Sequence, residues 1–193
     1  NGMSLSCIVV TPRCGTADGS TLDFLVDAMT KSVAMARRVG ARAVVAAGGP
    51  AFVSPDITPA SAHASTVKLL KAIAPVAEAA GIQIWLENLN SRIDHKGFVL
   101  DTAKECLDII EEVGSPAIRL LYDAYHSIVM DESPREILKR AHLIGYVGEA
   151  IRSALAQSLD DIEVVISDNA STAGTERICR EFAASDPRVR YFR

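Results

Sequence analysis

Two acidic residues stand where apolar segments end. Glu87 closes Ile82 to Glu87 (IQIWLE), and Asp123 closes Arg119 to Asp123 (RLLYD). Carboxylates at the outgoing ends of parallel strands converge on the mouth of an α/β barrel, where such folds do chemistry. Burial in a sheet explains the apolar runs but not the acids, since an unpaired buried charge is costly. Each acid must be paired, hydrated or bound to a metal. One reading makes them oxygen ligands of a divalent cation; the other makes them strand-end acids tied to a neighbour such as Arg92 or Lys96.

Other candidates surround this pair. His126 is either a substrate contact or a satisfied loop histidine. Asn90 is either a turn residue or part of the same pocket. Asp168 follows the apolar run VVIS; it is either a helix cap with Asn169 and Ser171 or, in a closed barrel, a third acid at the same mouth. His63, His95 and His142 match no ligand spacing and are assigned surface or helix roles. Gly48-Gly49 is too sparse for a phosphate-binding fingerprint. Cys7, Cys14, Cys106 and Cys179 are scattered without C-x-x-C spacing, as free thiols of a reducing cytoplasm would be.

The elements needed to hold these residues alternate along the chain. Strands are expected at Leu5 to Val10, Ala43 to Ala47, Ile82 to Glu87, Ile118 to Asp123, Leu143 to Val147, Ile162 to Ser167 and Val189 to Phe192. Between them, apolar residues recur at helical spacing, as in Leu22, Leu25, Val26, Met29, Val33 and Ala36. Thr102 with Glu105 fits a capping box, and Pro75 sits inside the second helix. Strands alternating with helices imply parallel pairing. At 193 residues the chain is short for a complete barrel, which takes about 250.

Composition excludes several classes. A net charge of −4 gives no electrostatic case for nucleic acid. No apolar run reaches the roughly 18 residues that span a bilayer, and no signal peptide is read at the start. A soluble, cytoplasmic protein is expected. Aromatics are only 5% of residues, so Ala, Val, Ile and Leu must fill the core.

ENLNSR (Glu87 to Arg92), GFVLDT (Gly97 to Thr102), LLYDAYH (Leu120 to His126) and IGYV (Ile144 to Val147) follow one another in a telling order. With that order and spacing, residues 5–147 resemble the xylose-isomerase-like TIM barrels, most closely the hydroxypyruvate isomerase and sugar epimerase branch. The resemblance implies one divalent cation, Mn²⁺, Mg²⁺ or Co²⁺, held by four side chains. Glu87 and Asp123 match two of them. It also implies that Glu87 and His126 are catalytic, that His126 and Asn90 meet the substrate, and that a proton moves between adjacent carbons of a small sugar or hydroxy-carbonyl compound.

After IGYV the chain departs from the pattern: Gly148-Glu149-Ala150 stands where the family continues with a histidine or glutamine ligand and an acid. The strand carrying the fourth ligand has no counterpart. From Val147 onward, the segment containing SDNAST resembles the opening of family 2 glycosyltransferases, which places Asp168 at the nucleotide-gripping position. That fold's first strand and Asp-x-Asp motif are missing, and Ala173 replaces its common Asp.

The expected architecture is therefore α/β with parallel (βα) repeats, a TIM-barrel-like but incomplete or chimeric barrel. Residues 1–147 form a partial xylose-isomerase-like barrel, and residues 148–193 a glycosyltransferase-like fragment on the same sheet. A metal-dependent isomerase, with room for an oligomer, is the leading function. The alternatives are a non-catalytic chimeric scaffold and a nucleotide-sugar binder.

Overall fold

The computed structural model describes residues 5–9, 22–47, 57–140, 143–145, 155, 163–167 and 174–192. Its first part is a run of βα units. Strand β1 (Cys7–Val9) leads to helix α1 (Leu22–Val39), β2 (Ala43–Ala47), α2 (Pro59–Ala80), β3 (Gln83–Glu87), α3 (Ala103–Val113) and β4 (Ile118–Leu121). These four strands pair in parallel in the order β1-β2-β3-β4. Right-handed crossovers in an order that never reverses put every helix on one side of the sheet, which is barrel geometry rather than a doubly wound sheet.

Alternation along the strands separates two environments. Val44, Ala46, Ile84, Leu86, Ile118 and Leu120 pack outward, in one core with Leu25, Met29, Val33, Leu70, Ile73, Leu107 and Ile110 from the helices. Ala43, Val45 and Trp85, with Cys7 and Leu121, form a separate inner cluster. Glu87 shares the parity of Trp85 and so faces inward with it. Asp123 continues the parity of Leu121.

Local chemistry explains the helix ends. Thr58 caps α2 by accepting from the Ser61 amide at 3.1 Å, while Ser61 Oγ accepts from the Thr58 amide at 3.0 Å. Gly81 ends that helix at φ 67, a left-handed conformation that a side chain would strain. The helix runs unbroken through Pro75. Thr102 caps α3 as expected, accepting from the Glu105 amide at 3.2 Å. Glu105 does not complete the box: its carboxylate bonds His63 Nδ1 at 3.0 Å, and Glu112 takes His63 Nε2 at 3.0 Å. His63 thus ties α2 to α3. Burial lowers its pKa, but the hydrogen bonds from Glu105 and Glu112 outweigh that and raise it overall.

The expected fourth strand is two residues too long. It stops at Leu121 because Asp123 caps a short helix, α4 (Ala124–Val129). Helix α5 (Pro134–Leu138) follows. Of the expected fifth strand, Leu143 to Val147, the described residues 143–145 carry a parallel bridge between Leu120 and Ile144, and residues 146–147 lie outside the described residues. Beyond it, β5 (Val164–Ser167), α6 (Gly174–Ser185) and β6 (Val189–Phe192) form a further unit. Strands β5 and β6 pair in parallel with each other. Asp168, Cys14, His142 and Gly48-Gly49 lie outside the described residues.

Gly145 shows how tightly the inner face is closed at this point. A Cβ there would lie 2.9 Å from Arg119 Cβ and Trp85 Cδ1, and closer still to Trp85 Nε1. The indole is itself held by donating to Gln83 Oε1 at 2.8 Å. Gly145→Ala is therefore expected to displace Trp85 and cost about 1–3 kcal/mol, as overpacking does. A thermal melt unchanged from wild type would refute this account of the glycine.

Candidate active site at the strand ends

Glu87 ends β3 and Asp123 follows β4 by two residues, on adjacent paired strands. Burial raises the Glu87 pKa, and the nearby Asp123 charge raises it further. Two acids thus stand at neighbouring strand exits. Among the described residues no base pairs with Glu87. Arg92, offered by the sequence as a partner, instead binds the Val129 carbonyl at 3.0 Å and the Asp131 carboxylate.

Asp123 is fixed by its backbone. Its amide donates to Asn88 Oδ1 at 3.1 Å, and its carbonyl accepts from Asn88 Nδ2 at 3.0 Å. The fully buried Asn88 side chain thus clamps the two strand ends together. As an N-cap, Asp123 accepts from the His126 amide at 3.2 Å. The His126 ring lies beside the same acid, with Nε2 3.8 Å from Asp123 Oδ2.

Asn90 is fully buried, and its carboxamide is engaged with the protein. Its Oδ1 accepts from the Ile93 and Asp94 amides at 2.9 and 3.1 Å, while Nδ2 reaches Asp94 Oδ2 at 2.7 Å and His126 Nδ1 at 2.6 Å. The Asp94 carboxylate, also bonded by Tyr125 OH at 2.8 Å, is held below its ordinary pKa first by Asn90 and then by Tyr125. The rings of Tyr125 and His95 lie tilted against His126 at 5.2 and 5.3 Å.

Sequence reading missed Asn88, Asp94 and Tyr125 as members of this cluster. Asn88 stands in the quoted ENLN motif, so a polar residue directly after a buried strand was the available signal. Tyr125 carried none, because it reaches Asp94 across 31 residues, and Asp94, four residues after Asn90, reads as an ordinary turn acid.

Glu87 and Asp123 fit a hard divalent cation in donor type: two oxygen ligands whose repulsion a cation would relieve. They fit incompletely in number. Among the described residues, no group of three or more His, Cys, Asp and Glu side chains could hold a metal. A cavity of about 870 Å³ lies at the opposite end of the sheet, between Arg42, Gln83, Trp85 and helix α6. It is not the carboxylate site. Among the described residues no helix is long and apolar enough to cross a membrane.

Parallel βα units in sequential order, with paired acids at the outgoing strand ends, define a barrel-type α/β protein. The xylose isomerase-like TIM barrel profile matches residues 1–174, and the chain belongs to that family. The match continues past Val147, and neither the glycosyltransferase resemblance nor the hybrid derived from it finds support in the comparisons.

A D-psicose 3-epimerase of Enterocloster bolteae is 24% identical over 79 residues, which are 41% of this chain and 25% of that protein. The IolI protein, solved with a bound zinc atom, superposes with TM-score 0.59 at 21% identity, covering 74% of this chain and 48% of that one. A D-psicose 3-epimerase solved with D-fructose superposes with TM-score 0.63 at 20% identity, covering 75% and 51%. The chain thus spans from a quarter to about half the length of these relatives.

Proposed function

We propose that this chain carries part of the catalytic rim of a metal-dependent sugar isomerase or epimerase. Its substrate is a small hydroxy-carbonyl compound, such as a ketose or hydroxypyruvate. The observation that carries this reading is the placement of two acids, Glu87 and Asp123, at the exits of the paired strands β3 and β4, with no base beside Glu87 among the described residues. The zinc named for IolI and the ketose named for the epimerase agree with it.

Glu87 and Asp123 would hold a cation of the Mn²⁺, Mg²⁺ or Co²⁺ kind, which when bound polarises the substrate's hydroxyl and carbonyl oxygens. The chain's own part is proton handling. Glu87 takes the proton from the hydroxyl-bearing carbon beside the carbonyl, and the C–H electron pair moves toward the carbonyl oxygen. In epimerisation the proton returns to the same carbon; in isomerisation it returns to the former carbonyl carbon while the hydroxyl proton passes to the old carbonyl oxygen. A half-buried carboxyl with a raised pKa suits both directions of that transfer. His126 steadies the substrate oxygen, and Asn90 sits behind it.

Transfer through an exchangeable carboxyl leaves a trace in heavy water. Incubation with Mn²⁺ and a ketose in D₂O, read by mass spectrometry after chelation, is expected to place deuterium on carbon. No incorporation from ketoses or hydroxypyruvate with any of the three cations would leave the non-catalytic scaffold as the better reading.

A further inference from the structure

Nothing in the sequence says which nitrogen of His126 carries the proton, but the donors around the ring do. The Asn90 amide N–H points at His126 Nδ1 from 3.2 Å, and that group can only donate. Asn90 Nδ2 approaches the same nitrogen at 2.6 Å. The orientation of the carboxamide is fixed independently, because Oδ1 must accept the two amides of Ile93 and Asp94, which an NH₂ could not do. Two donors therefore converge on Nδ1, which answers them only with a lone pair. The neutral ring then has its hydrogen on Nε2, the atom on the Asp123 side of the ring. Asp123 Oδ2, at 3.8 Å from Nε2, is too distant to take that hydrogen.

The geometry points to Asn90 as the positioning residue that locks His126 in the Nε2–H tautomer, so that the ring meets the substrate as a hydrogen-bond donor. This rests on the isomerase reading for its substrate, but not for the tautomer itself. It has two chemical consequences. An Nε2 that carries hydrogen offers no lone pair to a cation, so His126 is not a metal ligand. Nor can it act as the base, which leaves proton abstraction to Glu87. The donor stays available to a carbonyl or hydroxyl oxygen at the rim. The ring has little freedom to turn away, since His126 is 9% exposed and is flanked by His95 and Tyr125.

The test is the spectrum of the full chain, ¹⁵N-labelled at histidine and free of metal and substrate, at a pH where the ring is neutral. The chain has four histidines, and His126→Gln identifies the signals concerned. Long-range ¹H–¹⁵N correlations are expected to show a bare Nδ1 and a protonated Nε2 in wild type. Asn90→Asp replaces a donor with an acceptor and is expected to move the hydrogen to Nδ1. Deuterium incorporation should then fall about 10–100-fold, as for other groups that orient a catalytic ring.

A protonated or mixed Nδ1 in wild type overturns the proposal. So does a folded Asn90→Asp that keeps the wild-type pattern. Should that variant not fold, the wild-type spectrum decides alone. An inactive protein with the expected tautomer defeats the isomerase reading and leaves this inference standing; an active protein with Nδ1–H does the reverse.

Discussion

Glu87→Gln is expected to abolish solvent deuterium exchange and, in the same metal-free protein, to raise the melting temperature. The first effect follows from removing the proton carrier, whose contribution as an acid–base group is about 10²–10⁴-fold. The second follows from the sign of the pKa shift. Burial first, and Asp123 second, raise the Glu87 pKa above the ordinary 4.5. A carboxyl with a raised folded pKa adds stability below its unfolded value. That stability is lost as pH rises through the folded value, so at neutral pH the ionised group opposes folding.

Glutamine removes the charge and keeps the shape. Glu87 is only half-buried, so solvent screening limits the gain to roughly 0.5–1 kcal/mol, about 1–4 °C for a chain of this size. The advantage should fade below pH 4.5, where wild type is also neutral. Saturating Mn²⁺ should reverse the order: at a hundred times its dissociation constant it stabilises wild type by about 2.7 kcal/mol, and the variant by much less. A variant that melts below wild type without metal at pH 7, and responds to Mn²⁺ equally, would show that Glu87 is an ordinary surface acid.

Glu132→Ala is expected to cause the largest loss of stability. The Glu132 carboxylate accepts from the Ala103 and Lys104 amides at 2.8 and 2.9 Å and from Ser127 Oγ at 2.6 Å. With Thr102 on the Glu105 amide, it satisfies the first three orphan donors of α3 and sets a negative charge at the helix's positive end. Asp131 precedes it at φ 60, a turn that aspartate tolerates and that brings the chain back to α3.

Truncation strands the buried Ala103 amide together with two other donors, at a cost of about 2–4 kcal/mol. The melting temperature should fall by about 5–15 °C. Glu132→Gln keeps acceptor capacity and should lose roughly half as much. Ser127 lies next to His126 in α4, so deuterium exchange should fall in both variants even at temperatures where they remain folded. A melt within 1 °C of wild type for Glu132→Ala would remove Glu132 from this role.

Much of the fold was legible because its signals are local. Thr102 and Gly81 mark helix ends through partners within five residues. Alternating environments along QIWLE follow from the pleat, so an acid at its end had to sit at a strand exit. Motif order carried the family, since four short runs keep their spacing along one chain. At the end of β4 the structure departs from the expected strand because one residue had two uses. Asp123 suits a strand exit and a helix cap equally, and only the packed chain chose the cap.

The sequence by itself determined the parallel βα order and the two acids at strand exits. Tertiary structure alone decided that Asn90 closes on His126 across 36 residues, that Glu132 reaches α3 across 28 and 29, and that no base is set against Glu87 among the described residues. The reason is reach. A cap or a pleat is satisfied by neighbours a few bonds away, whereas a shared proton or a repelling pair exists only after distant loops have closed and water has been excluded between them.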